Sequence, residues 1–92
     1  MDFRLTPEQQ AFRASVRRFA ERHLAAEAVA RAHRDAFPWD VAELMAGSGL
    51  FGIMLGEEDG GQGGTLMDAV IAAEEIAKVC PRSADVLQAG NF

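Results

Sequence analysis

Two adjacent carboxylates, Glu74 and Glu75, are the residues of this 92-residue chain that most resemble a site for acid–base chemistry. Both fall in a segment with helical periodicity, and neighbouring residues on a helix point about 100° apart. They therefore cannot share one proton or one metal ion. The apolar pattern predicts that Glu75 faces largely outward and that Glu74 borders the buried side. We expect Glu74 to form a structural ion pair with an arginine of the first helix.

The histidines and the cysteine offer no ligand set. His23 and His33 lie ten residues apart, so they lack the i, i+4 spacing that puts two ligands on one face of a helix. Both are expected at the surface. Cys80 is the single cysteine, so it cannot form an internal disulfide, and such a residue is usually a small buried hydrophobe. The sequence therefore predicts no catalytic residue and no metal site.

The segment Gly60–Gly64 contains four glycines and follows three acids, Glu57, Glu58 and Asp59. Glycine loops that bind phosphate follow G-x-G-x-x-G or G-x-x-x-x-G-K-[ST], and neither pattern is complete here. The carboxylates would also repel a phosphate, and they lack the alternate spacing of a calcium-binding EF-hand loop. We predict a structural joint, with glycines that supply positive φ or close backbone approach, and no cofactor-binding loop.

The distribution of charge limits the partners. The net charge is −5, and the whole excess of acids lies after Leu50. An acidic second half without a basic cluster argues against nucleic acid as a partner. The longest apolar run, Leu50–Leu55, is far shorter than the roughly 20 residues that cross a bilayer, and the N-terminus lacks the pattern of a signal peptide. We expect a cytoplasmic protein that binds no nucleic acid and no membrane.

The elements that position these residues are predicted to be helices. Thr6 is the N-cap of the first helix, and Gln9 can close a capping box with it. The amphipathic pattern and high helix propensity continue to about Arg34. Phe37 and Pro38 begin a second helix, which ends in a pair of glycines.

Thr65 and Asp68 form the same kind of capping box at the start of a third helix. The apolar residues predicted to form its buried stripe are Leu66, Ala69, Val70, Ala73, Ala77 and Cys80. Pro81 ends this helix, and Ser83 caps a short fourth one. The chain is therefore predicted to be all-α, an antiparallel array of three to four helices in one domain, residues 1–92.

Large apolar residues complete this interpretation. Phe12, Phe19 and Trp39 are predicted to anchor the core. Because a fourth helix of barely two turns leaves little cover, we expect an exposed apolar patch near its end. The residues of that patch are Val86, Leu87 and Phe92.

Several short motifs occur in a fixed order along the chain. They are Met1-Asp2-Phe3-Arg4-Leu5-Thr6-Pro7-Glu8-Gln9-Gln10, Val16-Arg17-Arg18-Phe19, Phe37-Pro38, the glycine-rich run and its helix from Gly49 to Ala77, and Cys80. In this combination the chain resembles the N-terminal helical domain of acyl-CoA dehydrogenases over nearly its whole length.

The resemblance implies a complete enzyme with a β-barrel domain and a C-terminal helical bundle. In that family FAD lies between the later domains and a neighbouring subunit, and a glutamate of the C-terminal region removes the α-proton of the acyl-CoA substrate. The N-terminal domain covers the acyl pocket through the helix after the cysteine. That segment corresponds here to residues 84–90, with Asp85, Gln88 and Ala89 as candidate substrate-binding residues. Polar side chains at the first two positions suit a short or polar acyl group.

The resemblance also leaves alternatives open. Flavin-dependent monooxygenases share this kind of helical domain, and a stand-alone helical interaction module would carry the same pattern. Because the chain is far shorter than the family, we expect a fragment, a truncated product or one subunit of a split enzyme. In each case flavin-binding domains or a partner subunit supply the catalytic groups, the complete enzyme is a homo-oligomer, and the chain alone is inactive.

Overall fold

Five α-helices form the fold in the computed structural model, which describes residues 4–92 and contains no β-strand among them. They are α1 (Pro7–His23), α2 (Ala28–Ala32), α3 (Trp39–Gly47), α4 (Leu66–Val79) and α5 (Pro81–Ala89), with 3₁₀ turns at Ala25–Glu27 and Glu57–Asp59. The predicted all-α class is confirmed. The number of helices is five because the first predicted helix is divided into two.

Two capping boxes fix the starts of the longest helices, as the sequence predicts. The amide of Gln9 donates to Thr6 Oγ1 (3.1 Å), and the amide of Thr6 donates to Gln9 Oε1 (2.9 Å). At α4 the amide of Asp68 donates to Thr65 Oγ1 (3.2 Å), and the amide of Thr65 donates to Asp68 Oδ2 (2.9 Å). Each box satisfies backbone donors that the first helical turn leaves unpaired.

The prediction that the first helix continues to about Arg34 is wrong, because the chain turns at Leu24. The Leu24 side chain is fully buried, and its amide closes the last turn of α1 on Ala20. The turn brings Arg31 of α2 back to the end of α1, where its Nη1 donates to the carbonyl oxygen of Leu24 (3.2 Å). Burial and this contact outweigh the high local helix propensity of the alanine-rich segment.

The core lies between α1 and α4 and is closed by α3 and α5. Its buried apolar residues are Val16, Ala20, Leu24, Val41, Met45, Leu50, Ile53, Ala69, Ala72, Ile76, Cys80, Ala84, Val86 and Leu87. The predicted stripe of α4 is correct at Ala69 and Cys80, which are fully buried, but it is wrong at Leu66, Val70 and Ala77, which are exposed. The buried side is rotated toward Ala72 and Ile76, which pack beside Ala69.

Three further predictions are wrong in their details. Helix α4 ends before Pro81, as predicted, but Pro81 is also the first residue of α5, and the N-cap of α5 is Cys80 in place of Ser83. The second helix begins at Trp39, after Pro38 as its N-cap. Trp39 is 70% exposed and packs edge-on against Phe37 (ring centroids 4.6 Å apart), so it does not anchor the core.

Candidate functional site

One edge of α5 carries the three residues that the sequence singles out for substrate binding. Asp85, Gln88 and Ala89 are all exposed, and their i, i+3, i+4 spacing puts them on the same side of the helix. The opposite side of α5 is buried through Val86 and Leu87, which are 2% and 0% exposed. The prediction of an exposed patch is therefore wrong for these two residues, which belong to the core, and correct for Phe92, which is 66% exposed. The candidate edge faces solvent and can contact another domain or a ligand.

Asn91 fixes the C-terminal end of α5, a role that sequence reasoning did not assign. Its Nδ2 donates to the carbonyl oxygens of Leu87 (2.8 Å) and Leu50 (2.9 Å), and its Oδ1 accepts from the amide of Ile53 (2.8 Å). These bonds tie the last turn of α5 to the connection after α3. The exposed edge of α5 is thus held at one end by a side chain that satisfies three buried or partly buried backbone groups.

Cys80 lies at the other end of α5, where it both ends α4 and caps α5. Its side chain is fully buried, as expected, but it is not simply a small hydrophobe. Ser83 Oγ donates to its Sγ (3.0 Å), and Arg31 Nη1 donates to the same sulfur (3.3 Å). Arg31 is only 3% exposed. A long arginine amid an alanine-rich segment gave no sequence signal for such burial.

The carboxylate cluster of α4 is centred on Glu75. This residue is 1% exposed, and it accepts hydrogen bonds from Arg17 Nε (3.1 Å) and Lys78 Nζ (2.9 Å). Arg13 Nε lies 3.8 Å from the same carboxylate. Burial raises the pKa of Glu75, but the hydrogen bonds and charges of Lys78 and Arg17 outweigh burial and hold the pKa below its ordinary value. The group therefore stays ionised and links α1 to α4.

The predicted ion pair with the first helix exists, but the sequence analysis assigned it to the wrong residue. Glu74 is exposed and reaches Lys78 at 3.7 Å. Glu75 takes the contact with α1 because it shares the packed side of α4 with Ile71 and Ile76. The two carboxylates do point in different directions, as predicted. Glu75 is enclosed by cations and has no open face toward a substrate, which makes its role structural.

The glycine-rich loop packs against its own backbone. A Cβ added at Gly61 would overlap the carbonyl oxygen of Leu55, and Gly60 and Gly63 have φ values of 86° and 68°. Gly64 lies so near the carbonyl oxygen of Ile53 that a Cβ would be 3.0 Å from it. The predicted use of glycine for positive φ and close approach is confirmed. At Gly61 and Gly64 the adjoining space is filled by this backbone, whereas nothing lies within 4 Å of a Cβ built at Gly60.

The remaining sequence-predicted candidates lie apart from these clusters. His23 is exposed and its ring contacts Phe19 at a tilt of 50°, with ring centroids 5.2 Å apart, and His33 is exposed as well. In the described part of the chain, no three acidic, histidine or cysteine side chains converge as metal ligands. Each helix described is too short or too polar to cross a bilayer.

Comparison with protein families gives one match over almost the whole chain. The model described as "Acyl-CoA dehydrogenase, N-terminal domain" matches residues 6–91. The start that carries part of the resemblance includes Met1, Asp2 and Phe3, which lie outside the described residues. No solved structure matches the chain significantly.

Curated relatives match the chain along the same length. A short-chain specific acyl-CoA dehydrogenase of Clostridium acetobutylicum is 38% identical over 97% of this chain and 24% of that protein. An acryloyl-CoA reductase (NADH) of Anaerotignum propionicum is 43% identical over 95% of this chain and 22% of that protein. A 3-sulfinopropanoyl-CoA desulfinase of Paraburkholderia xenovorans is 33% identical over 98% of this chain and 23% of that protein. The chain thus spans about a quarter of the length of these relatives.

Proposed function

The chain belongs to the acyl-CoA dehydrogenase family, and we propose that residues 1–92 form the N-terminal domain of an FAD-dependent enzyme that dehydrogenates an acyl-CoA thioester. The observation that carries the proposal is the family match over residues 6–91. The glycine loop completes neither glycine pattern that binds phosphate, and at Gly61 and Gly64 it packs against its own backbone. FAD would then be bound by further domains or a partner subunit, which supply the redox chemistry and the base.

The part of this domain that meets the substrate is proposed to be the exposed edge of α5. Asp85, Gln88 and Ala89 share that edge, and both ends of the helix are fixed by buried hydrogen bonds. A helix that forms one wall of an acyl pocket should be rigid, and the side that faces the pocket should not be packed against the helix's own domain. The three residues act in substrate binding and not in catalysis.

A short or polar acyl group fits this edge best. Asp85 and Gln88 would lose hydration without a partner beside a long alkyl chain, which costs free energy. The relatives support this class, because they include a short-chain specific dehydrogenase, an acryloyl-CoA reductase and a 3-sulfinopropanoyl-CoA desulfinase. The names of these relatives all refer to a coenzyme A thioester, but they refer to different reactions. The thioester is therefore the part of the proposed substrate that the relatives support.

A chimera tests the proposal. Residues 6–91 replace the matching N-terminal quarter of the Clostridium acetobutylicum enzyme, and flavin content and bleaching by short acyl-CoA substrates are measured. We expect the chimera to retain FAD and to dehydrogenate the thioester. A folded chimera that retains FAD but does not bleach with any acyl-CoA would contradict the proposed function.

Substrate contact at α5 is tested in the same chimera. Gln88→Leu should raise kcat/KM for longer acyl chains relative to short ones by roughly tenfold, the lower end of what a change in pocket chemistry commonly gives. Glu43→Gln on the exposed side of α3 is the matched control and should leave the ratio unchanged. Equal ratios in both variants would remove α5 from the acyl pocket.

A further inference from the structure

The buried guanidinium of Arg31 lacks a buried carboxylate partner. Among residues 4–92 its recorded ion pair is with Glu27, at 4.0 Å, and the Glu27 side chain is 62% exposed. Arg31 itself is 3% exposed, and its Nε has no hydrogen-bond partner in the described chain. A buried charge without a close counter-charge is costly, and a solvated carboxylate at 4.0 Å compensates it weakly. Another anion next to Arg31 would remove this cost.

The sulfur of Cys80 occupies the position that such an anion needs. It is fully buried, Arg31 Nη1 lies 3.3 Å from it, and Ser83 Oγ donates to it at 3.0 Å. Cys80 is also the N-cap of the nine-residue α5, where the helix dipole favours a negative charge. A charged donor and a hydroxyl donor therefore converge on one sulfur atom, which belongs to the residue that precedes a helix.

We propose that Cys80 is present as a thiolate that serves as the counter-ion of Arg31, and that this buried pair fixes the start of α5. Arg31 also donates to the carbonyl oxygen of Leu24 at the end of α1 (3.2 Å). The pair thus connects the end of α1, helix α2 and the α4–α5 junction. Its consequence for the edge of Asp85, Gln88 and Ala89 rests on the proposed function, whereas the ion pair itself does not.

The surrounding charges agree with a thiolate. Burial raises the pKa of the Cys80 thiol, but the hydrogen bonds from Ser83 and Arg31 and the charge of Arg31 outweigh burial and lower the pKa below its ordinary value. The negative charge of Glu27, in the 3₁₀ turn, disfavours a thiolate. However, Glu27 is solvated, and Arg34 lies 3.6 Å from its carboxylate. Arg82 is a further cation of α5, and its Nη2 donates to the carbonyl oxygen of Ala36 (3.4 Å).

The composition makes a direct titration possible. The chain has one cysteine and no tyrosine, so a thiolate band in the ultraviolet belongs to Cys80 without overlap from tyrosinate. The folded chain and the chain unfolded in urea are titrated side by side, with Cys80→Ser as the blank. We expect the thiol of the folded chain to ionise at a lower pH than that of the unfolded chain. The midpoint of the unfolded chain should lie at about pH 8.5. An equal or higher folded midpoint would overturn the proposal.

Variants assign the effect to its partners. Arg31→Gln removes the charge but keeps donors, and it should raise the folded midpoint; Ser83→Ala should raise it by less. Arg34→Gln is the matched control, because Arg34 contacts Glu27 and not the sulfur, and it should leave the midpoint unchanged. If Arg31→Gln does not fold, Ser83→Ala still decides. Unchanged midpoints in every folded variant would contradict the pair.

The stability of the chain should follow the same titration. Since folding lowers the pKa, the unfolded state binds more protons at intermediate pH, and the contribution of the pair grows up to about pH 8.5. It disappears as the pH falls through the folded pKa. Cys80→Ala should remove this dependence and speed hydrogen exchange of the amides in α5, with the amides of α3 as the internal reference. Unaltered exchange in α5 would mean that the pair does not position this helix.

The two tests fail independently. If the titration fails while the chimera is active, the domain assignment stands without the thiolate. If the chimera is folded but inactive while Cys80 titrates low, the ion pair stands and the proposed function is wrong.

Discussion

The two sides of α4 have similar apolar content but opposite environments. Ala69, Ala72 and Ile76 are fully buried against the rest of the domain, whereas Leu66 and Val70 are 60% and 45% exposed. The acids divide in the same way, with Glu75 enclosed and Glu74 in solvent. The inner side accounts for the stability of this domain. The outer side carries apolar residues that no described part of the chain covers.

The contrast between the two sides of α4 shows that a stripe of apolar residues does not by itself identify the buried side of a helix. The outer residues Leu66, Met67 and Val70 form a hydrophobic surface on a helix that is already well packed on its other side. Surfaces of this kind usually bind another protein surface. Under the proposed function, the flavin-binding domains or a partner subunit would cover it.

The largest contrast is expected between buried and exposed aliphatic residues of α4. Ile76→Ala removes a fully buried side chain and should lower the free energy of unfolding by about 2–5 kcal/mol, because it leaves a cavity. Val70→Ala on the outer side should change it by less than about 0.5 kcal/mol. Urea denaturation of both variants measures this difference. Comparable losses would mean that the outer side is packed in solution.

The two carboxylates give the next contrast. Glu75→Gln should cost about 1–3 kcal/mol, toward the lower end, because its cationic partners are half exposed and stay hydrated. Glu74→Gln should cost less than about 0.5 kcal/mol, as expected for an exposed i, i+4 pair with Lys78. Equal effects of the two changes would contradict the assignment of Glu75 as the link to α1.

The pH dependence of unfolding separates these carboxylates further. The folded pKa of Glu75 is lowered, so its contribution is fully present above the ordinary carboxyl pKa of 4.5 and is lost as the pH falls through the folded pKa. The wild-type chain should therefore lose stability in acid more steeply than Glu75→Gln. Glu74→Gln should follow the wild-type curve. Parallel curves for all three proteins would show that Glu75 does not titrate differently on folding.

Local signals in the sequence correctly predicted where the two longest helices start. The capping boxes at Thr6 and Thr65 depend on residues three positions apart, so the printed sequence contains everything that determines them. The glycines of the joint were predicted for a similar reason, because positive φ is a local property. The fold class followed from the spacing of apolar residues along the longer helices.

Tertiary contacts determined what the sequence could not predict. Leu66 and Val70 have the same period as Ala72 and Ile76, and only the position of α1 decides which stripe is buried. The turn at Leu24 depends on Arg31, whose partners are Leu24 and Cys80, seven and 49 residues away. The site edge on α5 was predicted from family resemblance, and its contact with substrate remains a prediction.

A smaller effect on the free energy of unfolding is expected at the start of α4, where Thr65 is the N-cap. Thr65→Ala removes the hydroxyl that accepts from the amide of Asp68, and it should cost about 1 kcal/mol. Thr65→Ser keeps the oxygen and should restore most of the loss. Chemical denaturation measures both variants. A serine variant as unstable as the alanine variant would mean that the methyl group, and not the cap, accounts for the effect.

The smallest effect on stability, and the most informative for function, is expected on the outer side of α4. Val70→Ser should leave the free energy of unfolding of the chain nearly unchanged, because the residue is 45% exposed. In the chimera, however, the other domains would cover the outer side of α4. The same change would then bury a hydroxyl against apolar atoms, which is unfavourable. We therefore expect Val70→Ser to speed the loss of FAD on heating. Val29→Ser, at a 74% exposed position of α2, is the matched control. Faster FAD loss in the control but not in Val70→Ser would place the docking surface on α2 and leave the outer side of α4 without a partner.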